Sequence, residues 1–228
     1  MIGLRVPHAP AGGAVSLTPV DLVRLADHAF LSSSDRCSFV LEFTSGFGPR
    51  LCERLHILRD FKCAPSAALA RAHLARRKRR AIGFMAGMLR AAVSRSAAQQ
   101  VTWVPVPPSK ARPDPDFDNR LVQTLRIAFR DYDVDVRPLL FQARSTPADH
   151  LGRTRLTADA LTDNLRLDLS SLGQAPVRQA IHLFDDVLTT GKHYKCCERR
   201  LRDSLPHTPV FGVFLLRRAL RRRWGVSI

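Results

Sequence analysis

Apolar residues recur along this chain at two alternating periods, close to two and close to 3.6, and the alternation marks out the elements. Ser38-Phe39-Val40-Leu41-Glu42-Phe43-Thr44, rich in branched and aromatic residues, predicts a strand. Val101–Val106, Val134–Leu140, Ala180–Phe184 and Pro209–Leu216 predict four more. Between them the spacing turns helical. Thr18-Pro19-Val20-Asp21 reads as an N-cap with proline at the first helical position and predicts a helix towards Phe30. Leu51, Leu55, Leu58 and Phe61 keep helical spacing on the next element. A long Ala/Arg/Leu helix is predicted from Ser66 to about Ala97. Leu69, Leu74, Ile82, Met85, Leu89 and Val93 form its core-facing stripe. Asn119 to about Phe129, and Thr190 or Gly191 to about Leu205, predict two further helices. Residues 141–175 show no sustained period. Strands alternating with helices predict an α/β fold with a Rossmann-like, doubly wound parallel sheet. The core is expected over 99–228, with a mostly helical N-terminal region over 1–98 packed on it as a hood.

Composition narrows the class. With 228 residues, 45% hydrophobic and 25% charged, the chain is long enough to bury a core as one α/β domain, with or without an appendage. A disordered tail, a collagen-like fibre and a disulfide-stapled miniprotein are excluded. Met1 to Ser16 contains no continuous apolar stretch of the secretory kind, and the longest strongly apolar run, Val210–Leu216, is far short of the roughly 18 residues a membrane span needs. The five cysteines contain no C-x-x-C pair, so reduced thiols in a cytoplasm, and no membrane, are the expectation. Adjacent Cys196 and Cys197 read as small core or near-core residues.

The net charge is +16, from 36 Lys+Arg against 20 Asp+Glu, and it is unevenly placed. Residues 65–98 carry 8 basic and no acidic groups, residues 171–228 carry 11 basic and 4 acidic, and the rest nearly balances. The excess therefore lies in Arg71–Arg95 and Arg178–Arg223. Two readings stand: solvated helix faces in an arginine-favouring composition, or a surface for a polyanion such as nucleic acid at Arg71–Arg95 and Arg217–Arg223.

The densest chemistry lies in Ile181-His182-Leu183-Phe184-Asp185-Asp186-Val187-Leu188-Thr189-Thr190-Gly191-Lys192-His193. An apolar strand, two carboxylates at its carboxyl tip, a Thr/Gly turn and a helix follow in order. Ligands of open α/β sheets bind outside the carboxyl ends of the strands. A Thr-Thr-Gly turn entering a helix presents amides and hydroxyls to an anion. Paired carboxylates beside it suit sugar hydroxyls or a hydrated magnesium ion. A phosphorylated sugar is the predicted ligand. His182, inside the strand, is expected to be a satisfied sheet histidine rather than a ligand. His56 and His73 are expected at the surface, and Phe84, Met85 and Met88 in the core.

This stretch resembles the phosphoribosyl-pyrophosphate (PRPP) motif of the type I phosphoribosyltransferases: four apolar residues, two acids, two more residues and a Thr/Gly-rich phosphate loop. Val104-Pro105-Val106-Pro107-Pro108-Ser109-Lys110 with Phe117-Asp118-Asn119 is similar to the pyrophosphate loop of their competence-protein ComF-like branch. The resemblance implies a sheet of that family's kind, transfer of phosphoribosyl from PRPP to an unidentified acceptor with release of pyrophosphate, magnesium as cofactor, and a possible homodimer. It implies a 5′-phosphate loop of Thr189, Thr190, Gly191, Lys192 and His193, with ribose hydroxyls on Asp185 and Asp186. Magnesium is expected to arrive with PRPP rather than on a side-chain cluster, with Asp185 or Asp186 touching it through water. Pro107, Pro108, Ser109, Lys110 and Arg112 are implied at the pyrophosphate. Arg144, His150, Arg153 and Arg155 are implied on a flexible loop over about 141–165, with Lys110 and Arg155 assisting the leaving group. Residues 37–64 are the candidate hood over the acceptor. The family's cysteine finger is absent, so no structural zinc is expected, and His193 stands where many relatives carry Thr or Ser. The alternative is a non-catalytic regulator or effector that keeps the PRPP-binding fold and binds nucleic acid or protein through its arginine-rich surfaces.

Overall fold

The computed structural model describes residues 15–44, 56–146, 156–173 and 175–220. In chain order the elements are β1 (Thr18–Pro19), α1 (Leu22–Leu25), β2 (Cys37–Thr44), α2 (56–61), α3 (Pro65–Ala70), α4 (Ala72–Ala92) and α5 (Arg95–Gln99). Then come β3 (Thr102–Pro105), α6 (Arg120–Ala128), β4 (Asp135–Val136), β5 (Leu140–Gln142), α7 (Ala158–Asn164), β6 (Leu165–Leu167), α8 (Leu169–Gly173), β7 (Ile181–Leu188), α9 (Lys192–Ser204) and β8 (Val210–Ala219).

The main sheet runs β1-β2-β8-β7-β3-β4. Every pair is parallel except β1 with β2, so the fold is α/β with a mixed, mostly parallel sheet. Thr18–Pro19 sits at the edge, where a proline without an N–H costs no ladder bond. The order has a consequence for function. From β3 the chain winds outward to β4, whereas from β7 it winds the opposite way to β8. With right-handed crossovers, α6 and α9 then cover opposite faces. The packing agrees: α4 lies against α6, while α9 lies against α7 and β6. The switch in winding falls between β3 and β7, and their carboxyl ends flank the crevice where such sheets take ligands. β5 and β6 form a separate two-stranded antiparallel sheet.

The central strands β3, β7 and β8 are apolar and covered on both faces. Trp103, Val104, Ile181, Leu183, Phe184 and Leu215 are completely buried, as parallel strands require. Cys37, Cys196 and Cys197 are buried free thiols. Met85 and Met88 are core residues, Phe84 is half-buried against the core, and His56 and His73 are exposed. Among the described residues no helix is long and apolar enough to cross a membrane.

Several expected elements differ. The helix expected from Thr18 is a two-residue strand followed by one short helix, and the residue that caps it is Asp21, whose carboxylate accepts the Arg24 N–H at 2.9 Å. The chain leaves that helix early because residues 28–31 are drawn to the turn at Thr189–Gly191. The single helix expected over 66–97 is three: extended backbone at Arg71 (φ −139°, ψ 107°) and at Val93 and Ser94 breaks it, and Ser94 caps α5. Leu69, assigned to the core stripe, is therefore 90% exposed. The strand expected over 134–140 is split by Pro138 into β4 and β5, which belong to different sheets. The stretch 158–173, without legible period, holds α7, β6 and α8. β7 continues to Leu188, so Asp185 and Asp186 lie within the strand rather than at its tip.

Candidate functional site

At the carboxyl end of β7 the chain turns through Thr189 and Thr190, and Gly191 enters α9 in the left-handed conformation, φ +82°. A side chain at Gly191 would be strained by that angle and would meet Leu31: a Cβ there lies 2.7 Å from Leu31 Cγ and Cδ2. The turn opens onto a shallow recess lined by Asp185, by residues 187–194 and by Phe214. The thirteen-residue helix α9 begins inside this lining, so first-turn amides that lack helical acceptors face it. Lys192 N–H reaches back to Thr190 Oγ1 at 3.4 Å.

Successive residues of a strand point to opposite faces, and the two acids follow that rule. Asp185 is half-buried and lines the recess. Its Oδ1 accepts the Asp186 N–H at 2.7 Å, and its Oδ2 has no partner among the described residues. Asp186 is only 3% exposed and both its oxygens are engaged: Lys62 Nζ lies 3.0 Å from Oδ1, and Arg120 Nη2 donates to Oδ2 at 2.8 Å. Arg120 also binds Asp118 at 3.1 Å, and Asp118 binds Lys78 at 2.6 Å, giving a buried chain of alternating charge beneath the crevice. Burial raises both carboxyls. At Asp185 that push, reinforced by the charge of Asp186, carries the carboxyl upward; at Asp186 it is outweighed by Lys62 and Arg120, which hold the carboxyl well below the usual range.

The expected 5′-phosphate residues come together with Asp185 in the recess, but Lys192 has a second task. Its ammonium is buried and donates to the Leu156 carbonyl at 3.0 Å, beside the expected flexible loop. The expected pyrophosphate loop follows β3, and Val106 N–H donates to the Phe184 carbonyl at 2.8 Å, holding the loop beside β7. That loop is zipped to residues 145–146: Thr146 N–H to Ser109 O at 2.8 Å, and Ala111 N–H to Ser145 Oγ at 3.1 Å. Lys110 is half-exposed and 3.7 Å from Asp114. Arg112, expected at pyrophosphate, is turned aside: it binds Asp168 at 2.6 Å and stacks over Phe141 at 4.8 Å. Arg144 is exposed, and its backbone N–H donates to Asn164 at 3.0 Å. His150, Arg153 and Arg155 lie outside the described residues, as do 221–223 of the basic tail.

Two expectations are corrected by packing. Arg217, assigned to a nucleic-acid face, is 2% exposed in β8. It donates to His28 Nε2 at 3.0 Å and to the Arg24 carbonyl at 3.0 Å, and it is ion-paired with Asp27 and Glu42. His182 makes no hydrogen bond at Nδ1 among the described residues. It stands edge-on to Trp103 at 4.9 Å and to Phe211 at 5.8 Å, and burial pushes its pKa down to about 4. It is held as a neutral aromatic ring.

Lys62, Arg120 and the segment 28–35 were not legible as site residues. His28 Nδ1 donates to the Thr189 carbonyl, Phe30 N–H donates to the Thr190 carbonyl at 2.9 Å, and Asp35 binds Lys195 at 2.5 Å. The N-terminal segment thus buttresses the turn. Arg120 follows the noted Phe117-Asp118-Asn119, which is the one signal that could have found it. Comparison with protein-family models, with curated proteins and with solved structures returns no match for this chain.

Proposed function

We propose that this chain binds PRPP at the β3/β7 switch point and transfers its phosphoribosyl group to an acceptor, as the resemblance to the type I phosphoribosyltransferases of the ComF-like branch implies. The observation that carries the reading is the recess in which a left-handed Gly191 turn, the N-terminus of α9 and Asp185, with one oxygen unpartnered among the described residues, converge. The 5′-phosphate binds the turn amides and the Thr189 and Thr190 hydroxyls, and the ribose hydroxyls reach the acid. The pyrophosphate extends towards Pro107–Lys110 beside β3. The acceptor's lone pair forms the new bond at C1, the C1–O bond to pyrophosphate breaks with its electron pair leaving on pyrophosphate, and the acceptor's proton goes to solvent or base. Lys110 meets the charge that grows on the leaving group. Arg112 is committed to Asp168 and takes no part unless that pair opens.

Magnesium does not fit the acid pair as a protein-ligated ion. Among the described residues no group of three His, Cys, Asp or Glu side chains is placed to hold a metal, and both Asp186 oxygens are occupied by cations. Magnesium would instead arrive with PRPP, as the resemblance implies, with Asp185 able to meet it through water. The test is thermal: PRPP at about 100 times its Kd adds roughly 2.7 kcal/mol, which for a chain of this size raises Tm by about 5–11 °C. No shift at millimolar PRPP, with or without magnesium, refutes the reading.

One observation favours a second reading. Arg71, Arg76, Arg79 and Arg80 are exposed along the start of α4 and form no ion pair among the described residues, unlike Arg77, Lys78 and Arg90. A polyanion-binding regulator predicts binding of short DNA or RNA that falls steeply with salt. Replacing Arg76, Arg79 and Arg80 by Gln then flattens the salt slope by about 3.

A further inference from the structure

The two adjacent acids, alike in sequence, are unlike in their surroundings. Asp186 is buried and is met by groups from three other segments: exposed Lys62 just after α2, largely buried Arg120 at the start of α6, and, behind Arg120, buried Asp118 with Lys78 of α4. Each of its oxygens has a cation within 3.0 Å, and it does not line the recess. A ligand hydroxyl reaching Asp186 would have to displace a lysine or a buried arginine. Asp185 has the opposite character. It lines the recess, one oxygen is fixed by the Asp186 amide, and the other accepts nothing from the described residues.

Resting on the reading above, we propose that the pair is divided: Asp185 alone receives the sugar hydroxyls, while Asp186, neutralised by Lys62 and Arg120 in place of a metal, anchors the strand and fixes Asp185. Arg120 is the positioning residue in this scheme, acting through the oxygen that it holds at position 186. The N–H that orients Asp185 Oδ1 belongs to the same residue whose carboxylate Arg120 holds.

The chemistry supplies a readout that damage to the fold does not mimic. Inorganic phosphate probes the turn alone, whereas PRPP probes the turn and the sugar. Calorimetric titration of the full chain with each ligand, with and without magnesium, separates them. In Asp185→Asn, PRPP affinity falls at least tenfold, phosphate affinity stays within twofold, and Tm does not fall. Asp186→Asn alone lowers Tm, because the largely buried Arg120 loses one of its two charged partners. The double variant Lys62→Met/Asp186→Asn stays folded, since the introduced amide oxygen still accepts from Arg120. It binds both ligands within about threefold of the parent.

A folded double variant that loses PRPP tenfold but keeps phosphate places Asp186 on the sugar and overturns the division. So does an Asp185→Asn chain that binds PRPP like the parent. A parent chain that binds neither PRPP nor phosphate refutes the reading of the site itself, and the division falls with it.

Discussion

Replacing Arg217 by Met tests whether the candidate phosphate turn is held in place from the N-terminal side of the chain. Arg217 is buried in β8 and serves four groups: the Asp27 and Glu42 carboxylates, the Arg24 carbonyl and His28 Nε2. His28 passes the constraint on, since its Nδ1 meets the Thr189 carbonyl. Methionine fills most of the side-chain volume, so the cost is electrostatic. Asp27 is left largely buried without its cation, and His28 Nε2 loses its donor, while Glu42 retains Arg24 at 3.7 Å. Removing one partner of a buried pair costs about 3–5 kcal/mol, which is roughly 6–20 °C in Tm for a chain of this length.

The effect also carries a pH signature. Because Arg217 Nε–H donates to Nε2, the contact requires neutral His28. Burial lowers the histidine's pKa, opposed by the Thr189 carbonyl and the Asp27 charge and aided by the positive charges of Arg217 and Arg218. A base with a depressed folded-state pKa stabilises fully above its unfolded value of 6.5 and loses that contribution as pH falls through the folded value. In the variant the repulsion from Arg217 is gone, so the parent's advantage narrows below pH 6.5. Urea denaturation of both chains at pH 7.5, 6.5 and 5.5 measures it. A loss under 1 kcal/mol at pH 7.5, or a gap constant with pH, refutes the argument.

Two further outcomes follow from the same geometry. Gly191→Ala meets both the left-handed φ and the 2.7 Å approach of Leu31, and is expected to cost about 1–3 kcal/mol in urea denaturation and to abolish the PRPP-induced Tm shift; an unchanged shift argues against the turn as the phosphate site. His182, neutral in the fold with a pKa of about 4, costs the parent about 3 kcal/mol as pH falls from 7 to below 4; His182→Phe removes that dependence, and a parent chain with the same stability at pH 7 and pH 4.5 contradicts it.

Much of the sheet was legible because its strands are short apolar runs whose neighbours are amphipathic helices, as at Val101–Val106 and Asn119–Phe129. The elements that were missed depend on partners distant in sequence. Thr18–Pro19 becomes a strand only because Ser38 and Phe39 lie beside it, and α1 stops early because the chain is needed at Thr189. Arg71 carries no breaking signal, yet its extended backbone separates α3 from α4. At the site, the turn residues were legible because Thr-Thr-Gly after an apolar strand has few other uses. The division between Asp185 and Asp186 was not, because adjacency in sequence says nothing about which face receives Lys62 and Arg120. Arg112 shows the converse: its position suited pyrophosphate, and Asp168, 56 residues on, claims it.

The charge excess itself separates once the partners are known. Lys62, Lys78, Arg77, Arg90, Arg120, Arg137, Lys195 and Arg217 each face a carboxylate within 4 Å, and several are buried. These cations neutralise acids that the fold needs ionised inside or at its edge. Their charge is offset locally by these acids. Other cations face solvent, and on α3–α4 they are concentrated in one run, Arg71, Arg76, Arg79 and Arg80, with no acid on either helix to offset it. The composition therefore divides in two. On the proposed reading, Lys62 and the largely buried Arg120 hold Asp186 so that Asp185 meets a small phosphorylated ligand. On the second reading, the exposed arginines of α4 meet a long one, and loss of either binding activity without the other is the result that the two readings together require.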